Sequence, residues 1–301
     1  MILITGASSL PGYRTTLEAL KRGYEVLAIS KERDVLIDSK NLKKIKVDLT
    51  QEGKIIEILE ETKPEVIIHI AGYGDVDGCE RNPKLTMELN YLSTKRLLQF
   101  SKKFRPFFVY LSTDYVFDGQ RGGYKESDVP FPINYYGLSK FCGELAVECL
   151  ADEFAIVRAS SIYGFGPGRE NFAKFLVKKL SNDEKVTALI DQFTTPTQAS
   201  LLGEAILEII ERKLTGIFHV VGEKMSRFEF AIKVVETLDL KKDLIIPIRM
   251  NEMKWAAKRP RDSSLDCERT KREIKVDFYS NSSAFDRLFR EYRELKEGDK
   301  K

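Results

Sequence analysis

The first thirty residues place an apolar run, a glycine turn, a helical segment and a second apolar run in immediate succession. Residues 1–5 are typical of a buried parallel strand. Leu17 and Leu20 have helical spacing, and Gly23 suits the position just after a helix end. With a second strand at residues 24–29 this makes a βαβ unit, which restricts the chain to an α/β fold.

The alternation of strands and helices continues along the first half of the chain. Helices are predicted for residues 53–62, 83–104 and 136–150, and strands for residues 65–70, 107–111 and 154–158. Strands that alternate with helices form a mostly parallel sheet. We therefore predict a Rossmann-type doubly wound parallel sheet over residues 1–160.

The pattern is looser after residue 160. Helices at about residues 171–180, 198–212 and 227–238 flank a strand at residues 216–221, and irregular sequence follows around Pro247 and Pro260. We predict that residues 161–301 form mainly a smaller substrate-binding cap, with residues 190–222 returning to the first domain. Residues 297–301 are predicted to fray.

The charge balance is nearly even, with 49 Lys and Arg residues against 46 Asp and Glu residues and a net charge of +3. So weak a field does not favour nucleic acid or a membrane surface as a partner. No apolar run approaches the roughly 18 residues of a membrane span, and a strand at residue 1 leaves no room for a targeting peptide. We expect neither partner and a cytoplasmic location.

The cysteines and histidines do not form a metal-binding pattern. Cys79, Cys142, Cys149 and Cys267 lack both a C-x-x-C pair and a zinc spacing, and His69 and His219 lie in apolar strand-like runs. We therefore expect no metal, and free thiols as in a reducing compartment.

The turn after the first strand, residues 5–12, has the position of the phosphate-binding turn in dinucleotide folds. Gly6 would permit the tight turn and Gly12 the close packing of helix on strand. The backbone around Leu10 and Pro11 opens the helix and would hold a pyrophosphate. Ser9 replaces the usual middle glycine, and its hydroxyl either binds a phosphate or crowds the cofactor.

The end of the second strand predicts which dinucleotide is bound. An acid at this position favours NAD, whereas this chain has Ser30, Lys31 and Arg33 there. These side chains suit a 2′-phosphate, so NADP(H) is the expected cofactor and NAD(H) the alternative. If they do not bind a 2′-phosphate, Lys31 and Arg33 simply belong to a solvated loop.

Tyr-x-x-x-Lys pairs place a phenol and an ammonium on one helix face. This sequence contains three such pairs: Tyr91 with Lys95, Tyr136 with Lys140, and Tyr292 with Lys296. Tyr136 differs in context, because it opens a helix soon after the strand-end run of residues 111–119, where Thr113 can converge with it on one carbonyl. We predict that Tyr136 is a proton donor whose pKa Lys140 lowers.

With these motifs the sequence resembles the extended short-chain dehydrogenase/reductase superfamily, and within it the dTDP-4-dehydrorhamnose reductases. The resemblance covers nearly the whole chain. It rests on five blocks in family order, namely residues 112–119 (Ser-Thr-Asp-Tyr-Val-Phe-Asp-Gly), 134–144, 158–164, 191–197 and 259–266.

The resemblance implies an activity and a set of catalytic roles. Tyr136 would protonate the C4 keto oxygen of a nucleotide-linked 6-deoxyhexulose while NADPH delivers hydride to C4, a step of dTDP-L-rhamnose synthesis. Thr113 would hydrogen-bond the same oxygen, with Ser112 nearby on the substrate side. Lys140 would tune Tyr136 and bind the nicotinamide ribose.

The resemblance also implies cofactor contacts outside the glycine turn. Asp48 and Leu49 correspond to the pair that contacts adenine, and Ala71-Gly72-Tyr73 to the segment under the ribose and pyrophosphate. Asn90 corresponds to a helix asparagine that organises water or backbone near the site; its alternative is a surface amide.

Two substrate-side positions depart from related patterns. Tyr115 stands where sugar 4,6-dehydratases of the superfamily have a second acid, which disfavours dehydration and assigns Tyr115 to the sugar pocket. Ser161 stands where the reductases commonly have a tryptophan, so the sugar and the nucleotide stay open.

Other functions are compatible with the same scaffold. A 4-epimerase or another ketoreductase is one alternative. The sequence is also similar to the regulatory subunit of methionine adenosyltransferase, which shares this fold and binds NADP, so a non-catalytic role is another. Dimers are common in the superfamily, and a homodimer is an option that no sequence feature decides.

Overall fold

The computed structural model describes residues 1–298, and its centre is a seven-stranded parallel sheet. In chain order the strands are β1 (Ile2–Thr5), β2 (Val26–Ser30), β3 (Leu42–Lys46), β4 (Val66–His69), β5 (Phe107–Thr113), β6 (Glu153–Ala159), β7 (Val186–Leu189), β8 (Phe193–Thr194), β9 (Gly216–His219), β10 (Met225–Ser226) and β11 (Ile245–Ile248). The main sheet has the order β3-β2-β1-β4-β5-β6-β9. This confirms the predicted Rossmann-type doubly wound sheet.

Helices cover both faces of the main sheet. They are α1 (Leu10–Lys21), α2 (Glu52–Thr62), α3 (Val76–Arg81), α4 (Pro83–Met87), α5 (Ser93–Ser101), α6 (Tyr135–Leu150), α7 (Phe172–Leu180), α8 (Ala199–Glu211), α9 (Arg227–Thr237), α10 (Glu268–Glu273) and α11 (Asn281–Gly298). Helices α1 and α8 pack together on one face, and α2, α5 and α6 pack on the other.

Successive residues of the central strands point into two different cores. Ile2 and Ile4 pack beneath α1 and α8, while Leu3 packs beneath α2, α5 and α6. Such two-sided burial explains why these strands are continuously apolar. Because β1, β4, β5 and β6 pair in parallel, their carboxyl ends lie at one edge of the sheet.

Two small sheets lie outside the main sheet. β7 pairs in parallel with β11, and β8 pairs antiparallel with β10. By contrast, β9 joins the main sheet beside β6. The chain after residue 160 therefore contributes to both regions, and the domain division at that residue stays a prediction.

Several elements differ from the sequence prediction. β3 is not predicted, because its sequence Leu-Lys-Lys-Ile-Lys is that of a polar, largely exposed edge strand. The helix predicted for residues 83–104 is interrupted between α4 and α5 by a π-helical segment, Glu88–Leu92, and ends in a 3₁₀ turn, Lys102–Phe104. Helices α3 and α11 are also unpredicted.

The C-terminal helix α11 reaches Gly298, so Glu297 and Gly298 are helical rather than frayed. The rest of the segment predicted to fray, residues 299–301, lies outside the described residues. Within residues 1–298 no helix combines the length and the apolar character needed to cross a membrane.

Candidate active site

A cleft of about 540 Å³ opens where β1, β4, β5 and β6 end. Ligands of open α/β sheets bind at this edge. Of the predicted site residues, the cleft is lined by Ser9, Leu10, Pro11, Gly72, Tyr73, Asn90, Ser112, Thr113, Tyr115, Tyr136, Lys140 and Ser161. The fold thus brings predicted cofactor, catalytic and substrate residues to one cavity.

The glycine turn packs closely against neighbouring backbone. Gly6 has a φ of +69°, and a Cβ there would lie 2.7 Å from the Ala71 nitrogen. A Cβ at Gly12 would overlap the Gly6 carbonyl oxygen. Both positions therefore require glycine, which lets β1, α1 and the segment after β4 meet beneath the cleft.

Ser9 is the N-cap of α1. Its hydroxyl donates to the Gly6 carbonyl at 2.7 Å and accepts from the Gly12 nitrogen at 3.2 Å. The hydroxyl is thus used within the turn, which accommodates the replacement of the usual middle glycine. The positive end of the α1 dipole faces the cleft at Leu10 and Pro11.

Lys31, at the end of β2, forms an ion pair with Asp48, with Nζ and Oδ2 2.9 Å apart. The other Asp48 oxygen accepts from the Thr50 nitrogen at 3.0 Å and the Thr50 hydroxyl at 2.9 Å. Burial favours a higher pKa for Asp48, but these hydrogen bonds and Lys31 hold that pKa below its usual value. The Asp48 carboxylate is therefore already well paired.

The remaining residues predicted for this end of the cofactor are Ser30, Arg33 and Leu49. Ser30 is buried, Leu49 is half-buried and Arg33 is exposed. They are not among the described residues that line the cleft, nor are Lys31 and Asp48. Their roles toward a cofactor stay predictions.

Asn90 connects the segment after β4 to α6. Its Oδ1 accepts from the Tyr73 nitrogen at 2.6 Å, and its Nδ2 donates to the Tyr73 carbonyl at 3.1 Å and to the Ser139 hydroxyl at 2.9 Å. Asn90 is buried, which rules out a surface amide. It fixes Tyr73 against the helix residue that precedes Lys140.

Tyr136, Thr113 and Lys140 all face the cleft. Asn134 caps α6 by accepting from the Gly137 nitrogen at 2.8 Å, so Tyr136 lies in the first turn and Lys140 one turn later. Burial raises the pKa of Tyr136, and the neighbouring Thr113 hydroxyl acts in the opposite direction. Tyr136 therefore keeps its proton at neutral pH.

Lys140 is buried, and burial lowers its pKa to about 7, an effect that the Glu144 carboxylate opposes. The Tyr-x-x-x-Lys spacing predicts that Lys140 lowers the pKa of Tyr136. The structure differs, because burial outweighs the other influences on the phenol and raises its pKa.

Ser112 lines the cleft and also belongs to a buried charge network. Its hydroxyl donates to the Glu144 carboxylate, which forms a bidentate ion pair with Arg158 at 2.9 and 2.7 Å. Arg158 Nη1 lies 3.3 Å from His219 Nε2, and burial lowers the pKa of His219 to about 3. The network ties β5, α6, β6 and β9 together beneath the catalytic candidates.

Asp114 is a cleft residue to which the sequence analysis gave no role. Its buried carboxylate accepts from the hydroxyls of Thr113 at 3.1 Å, Ser160 at 2.8 Å, and Ser263. Burial raises the pKa of Asp114 against the effect of these donors. Its one signal in the sequence is its position next to Thr113.

Three arginines line the substrate side: Arg169, Arg227 and Arg259. Arg259 begins one of the blocks that carry the family resemblance, residues 259–266, but none of the three has a role predicted from the sequence. Burial raises the pKa of Tyr115, while Arg227 and Arg259 oppose this effect. Arg259 also pairs with Asp77 at 3.1 Å. No local pattern could reveal this group, because its members lie far apart in the sequence.

Ser161 lines the same cleft and has a left-handed backbone, with a φ of +42°. This conformation is strained for a residue with a side chain, and such strain is common at functional sites. The serine gives this wall a small side chain.

The other two Tyr-x-x-x-Lys pairs lie elsewhere. Tyr91 lies in the π-helical segment and packs against the core under α2, α5 and α6. Tyr292 is buried against Phe165, and the Lys296 ammonium lies 4.5 Å from the centre of its ring. Neither pair is among the described residues that line the cleft.

A model of the RmlD substrate binding domain family matches residues 1–294. The chain belongs to this family. A similar protein is the probable low-salt glycan biosynthesis reductase Agl14 of Haloferax volcanii, 30% identical over 276 residues, which cover 90% of this chain and 91% of that protein. The methionine adenosyltransferase 2 subunit beta of Xenopus laevis is 30% identical over 287 residues, covering 89% and 80%.

Two solved structures similar to this chain are named as dTDP-4-dehydrorhamnose reductases. A hypothetical dTDP-4-dehydrorhamnose reductase from Sulfolobus tokodaii is 36% identical, with a TM-score of 0.82 over 92% of this chain and 96% of that chain. The dTDP-4-dehydrorhamnose reductase from Bacillus anthracis, in complex with NADP, is 29% identical, with a TM-score of 0.85 over 96% and 98%. The resemblance drawn from the sequence to the dTDP-4-dehydrorhamnose reductases is confirmed.

Proposed function

We propose that this RmlD family member catalyses the NADPH-dependent reduction of the C4 keto group of a nucleotide-linked 6-deoxyhexulose, as a dTDP-4-dehydrorhamnose reductase does in dTDP-L-rhamnose synthesis. The observation that carries the proposal is that Thr113, Tyr136 and Lys140 share one cleft with the glycine turn. Carbonyl reduction needs a positioned proton donor beside a bound dinucleotide.

The residues around the glycine turn fit a dinucleotide. Gly6 and Gly12 allow close approach of backbone, and the N-terminus of α1 suits a pyrophosphate. Lys31 and Arg33 favour NADP(H), with NAD(H) the alternative, and the NADP complex of the Bacillus anthracis relative supports this choice. NADPH, when bound, would supply the hydride.

Tyr136 would supply the proton. Because burial raises its pKa, the phenol is protonated at neutral pH and can donate to the keto oxygen as negative charge develops there. Thr113 donates to Asp114 in the structure, and its hydroxyl would turn to donate to the same keto oxygen. A protonated Lys140 would stabilise the phenolate left behind.

The substrate side suits a nucleotide sugar. Arg169, Arg227 and Arg259 line this side of the cleft, and guanidinium groups suit a diphosphate. Arg169 and Arg259 are paired with Asp75 and Asp77, so Arg227 is the first candidate for this contact. Tyr115 and Ser161 would contact the sugar, and the small Ser161 side chain leaves room on that wall.

A second function is favoured by one observation, the 30% identity to the methionine adenosyltransferase 2 subunit beta. On that alternative the chain would bind NADP without catalysis and regulate a partner enzyme. A 4-epimerase or another ketoreductase is a further alternative on the same scaffold. The cytoplasmic location stays a prediction, and the homodimer stays one option for the oligomeric state.

The test is NADPH oxidation with a dTDP-4-keto-6-deoxy sugar and with a panel of other keto-sugar nucleotides. Oxidation with the first substrate supports the proposal, and oxidation with another substrate alone favours a different ketoreductase. Tight NADPH binding with no oxidation on any substrate favours the regulatory function. Bound NAD that does not exchange after purification favours an epimerase.

A further inference from the structure

A glycine-rich segment, residues 164–168, lies directly on the N-terminus of α1. We call this segment, Gly-Phe-Gly-Pro-Gly, the strap. A Cβ on Gly168 would lie 2.7 Å from the Leu10 nitrogen and 3.1 Å from the Ser9 Cα. The strap backbone therefore packs against the part of the turn that the proposed function assigns to a pyrophosphate.

The strap has a backbone that glycine adopts far more readily than other residues. The φ values are +141° at Gly164, +147° at Gly166 and +100° at Gly168. A Cβ on Gly166 would lie 3.1 Å from Leu10 Cδ1. Gly166 and Gly168 thus allow the strap to lie flat on α1, while Gly164 leaves room for the Glu291 carboxylate and Phe165 is buried.

Glu291, on the C-terminal helix α11, holds the strap from behind. Its Oε2 accepts from the Phe165 nitrogen at 2.8 Å and lies 3.3 Å from Arg14 Nη2. Its Oε1 accepts from Gln198 Nε2 at 2.8 Å and the Ser200 hydroxyl at 2.6 Å. This buried carboxylate joins the strap to α1, α8 and α11.

Two backbone carbonyl groups of the strap, those of Phe165 and Gly166, also accept hydrogen bonds from side chains. The guanidinium of Arg14, on α1, donates to the Phe165 carbonyl, from Nε at 3.1 Å and also from Nη2. The Lys174 ammonium, on α7, donates to the Gly166 carbonyl. Both backbone polar groups of Phe165 are therefore fixed by the pair of Arg14 and Glu291.

We propose that Glu291 is a positioning residue that holds the strap closed over the N-terminus of α1. The strap must leave the Leu10 nitrogen before a pyrophosphate can approach it, so the closed strap competes with the dinucleotide and strap opening sets the rate at which the dinucleotide enters. This inference rests on the proposed cofactor site. A carboxylate is required because each Glu291 oxygen receives donors, and an amide would set its own NH₂ against one of them.

The experiment compares wild type with Glu291→Gln, Gly168→Ala and the control Glu294→Gln, whose side chain is exposed on the same helix. NADPH association and dissociation rates are measured by stopped-flow fluorescence. Hydrogen exchange of the peptide that contains residues 164–168 reports strap opening. Gly168→Ala loosens the strap while leaving the buried carboxylate in place, so it stays informative if Glu291→Gln does not fold.

We expect the association rate constant to rise, by about tenfold, with faster strap exchange in Gly168→Ala and Glu291→Gln, because a weakened closed state raises the open population of the free protein. The dissociation rate constant should stay within about threefold, because the strap has already left the Leu10 nitrogen in the bound protein, and NADPH affinity should rise accordingly. Unchanged association rates in both folded variants, or a rise in dissociation alone, would overturn the inference. If wild type does not bind NADPH, the proposed cofactor fails instead.

Discussion

The Lys140 ammonium nitrogen lies 4.0 Å from the centre of the Tyr110 ring. Both side chains are buried, Tyr110 completely, and this environment lowers the pKa of Lys140 to about 7. The relationship places a lysine that titrates near neutrality one helical turn from Tyr136. The protonation of Lys140 should therefore affect both the free energy of unfolding and the proposed reaction.

We expect Lys140→Met to change how stability depends on pH. The Lys140 pKa falls from 10.5 unfolded to about 7 folded, so between these values the unfolded chain binds the extra proton. The contribution of Lys140 to the free energy of unfolding therefore rises by up to about 1.4 kcal/mol per pH unit above pH 7, and is lost as pH falls through 7. Urea unfolding of both proteins from about pH 7 to about pH 9 measures the difference.

A wild-type minus Lys140→Met difference that stays flat over this range would show that Lys140 is not a low-pKa group. The same variant should lose turnover and bind NADPH more weakly. Loss of cofactor affinity with full turnover would contradict the proposal that Lys140 stabilises the Tyr136 phenolate.

Glu144→Gln should destabilise the fold strongly. The substitution leaves the buried Arg158 without its bidentate partner, and an uncompensated buried charge costs about 3–5 kcal/mol. The matched control is Glu148→Gln, one turn later on the exposed face of α6, with an expected change within about 0.5 kcal/mol. Equal free energies of unfolding for the two variants would contradict the network described for Ser112, Glu144 and Arg158.

Lys31→Ala should reduce selectivity between the two dinucleotides. The ammonium lies at the end of β2, where it forms an ion pair with Asp48 and would also bind the 2′-phosphate of NADPH. Because NADH has no 2′-phosphate, removal of the ammonium should weaken NADPH binding about five- to tenfold and leave NADH binding nearly unchanged. Lys43→Ala, on the exposed edge strand β3, is the control. Parallel loss of affinity for both dinucleotides would show that Lys31 does not meet a 2′-phosphate.

Tyr136→Phe should lower turnover by about 10²- to 10⁴-fold, because it removes the proton donor alone. NADPH affinity should persist, as the ring stays in place. Tyr135→Phe removes a hydroxyl from the adjacent, exposed residue and should leave turnover unchanged. Steady-state kinetics and NADPH titration of both variants make the comparison, and full activity of Tyr136→Phe would refute the assignment.

Local sequence signals predict the central sheet because burial dictates its composition. β1 and β2 are continuously apolar since both faces are covered. β3 escapes the same reasoning, because an edge strand with exposed lysines has no apolar alternation. The π-helical segment that contains Asn90 is also not predictable from the sequence, because its residues have the spacing of an ordinary α-helix.

The candidate site is predictable only where its residues form local motifs. Thr113, Tyr136 and Lys140 are recognisable because they follow a strand end and open a helix. Arg169 and Arg227 are brought to the cleft by folding, so no spacing reveals them. The raised pKa of Tyr136 also depends on burial, which the Tyr-x-x-x-Lys spacing does not contain.

Deuteride transfer tests the central claim most directly. The protein is incubated with NADPH deuterated at nicotinamide C4 and with a dTDP-4-keto-6-deoxy sugar, and the product is examined by mass spectrometry and NMR. Our account predicts one deuterium at C4 of the reduced sugar with wild type and almost none with Tyr136→Phe. Bound NADPH with no deuterium in any sugar product would contradict it.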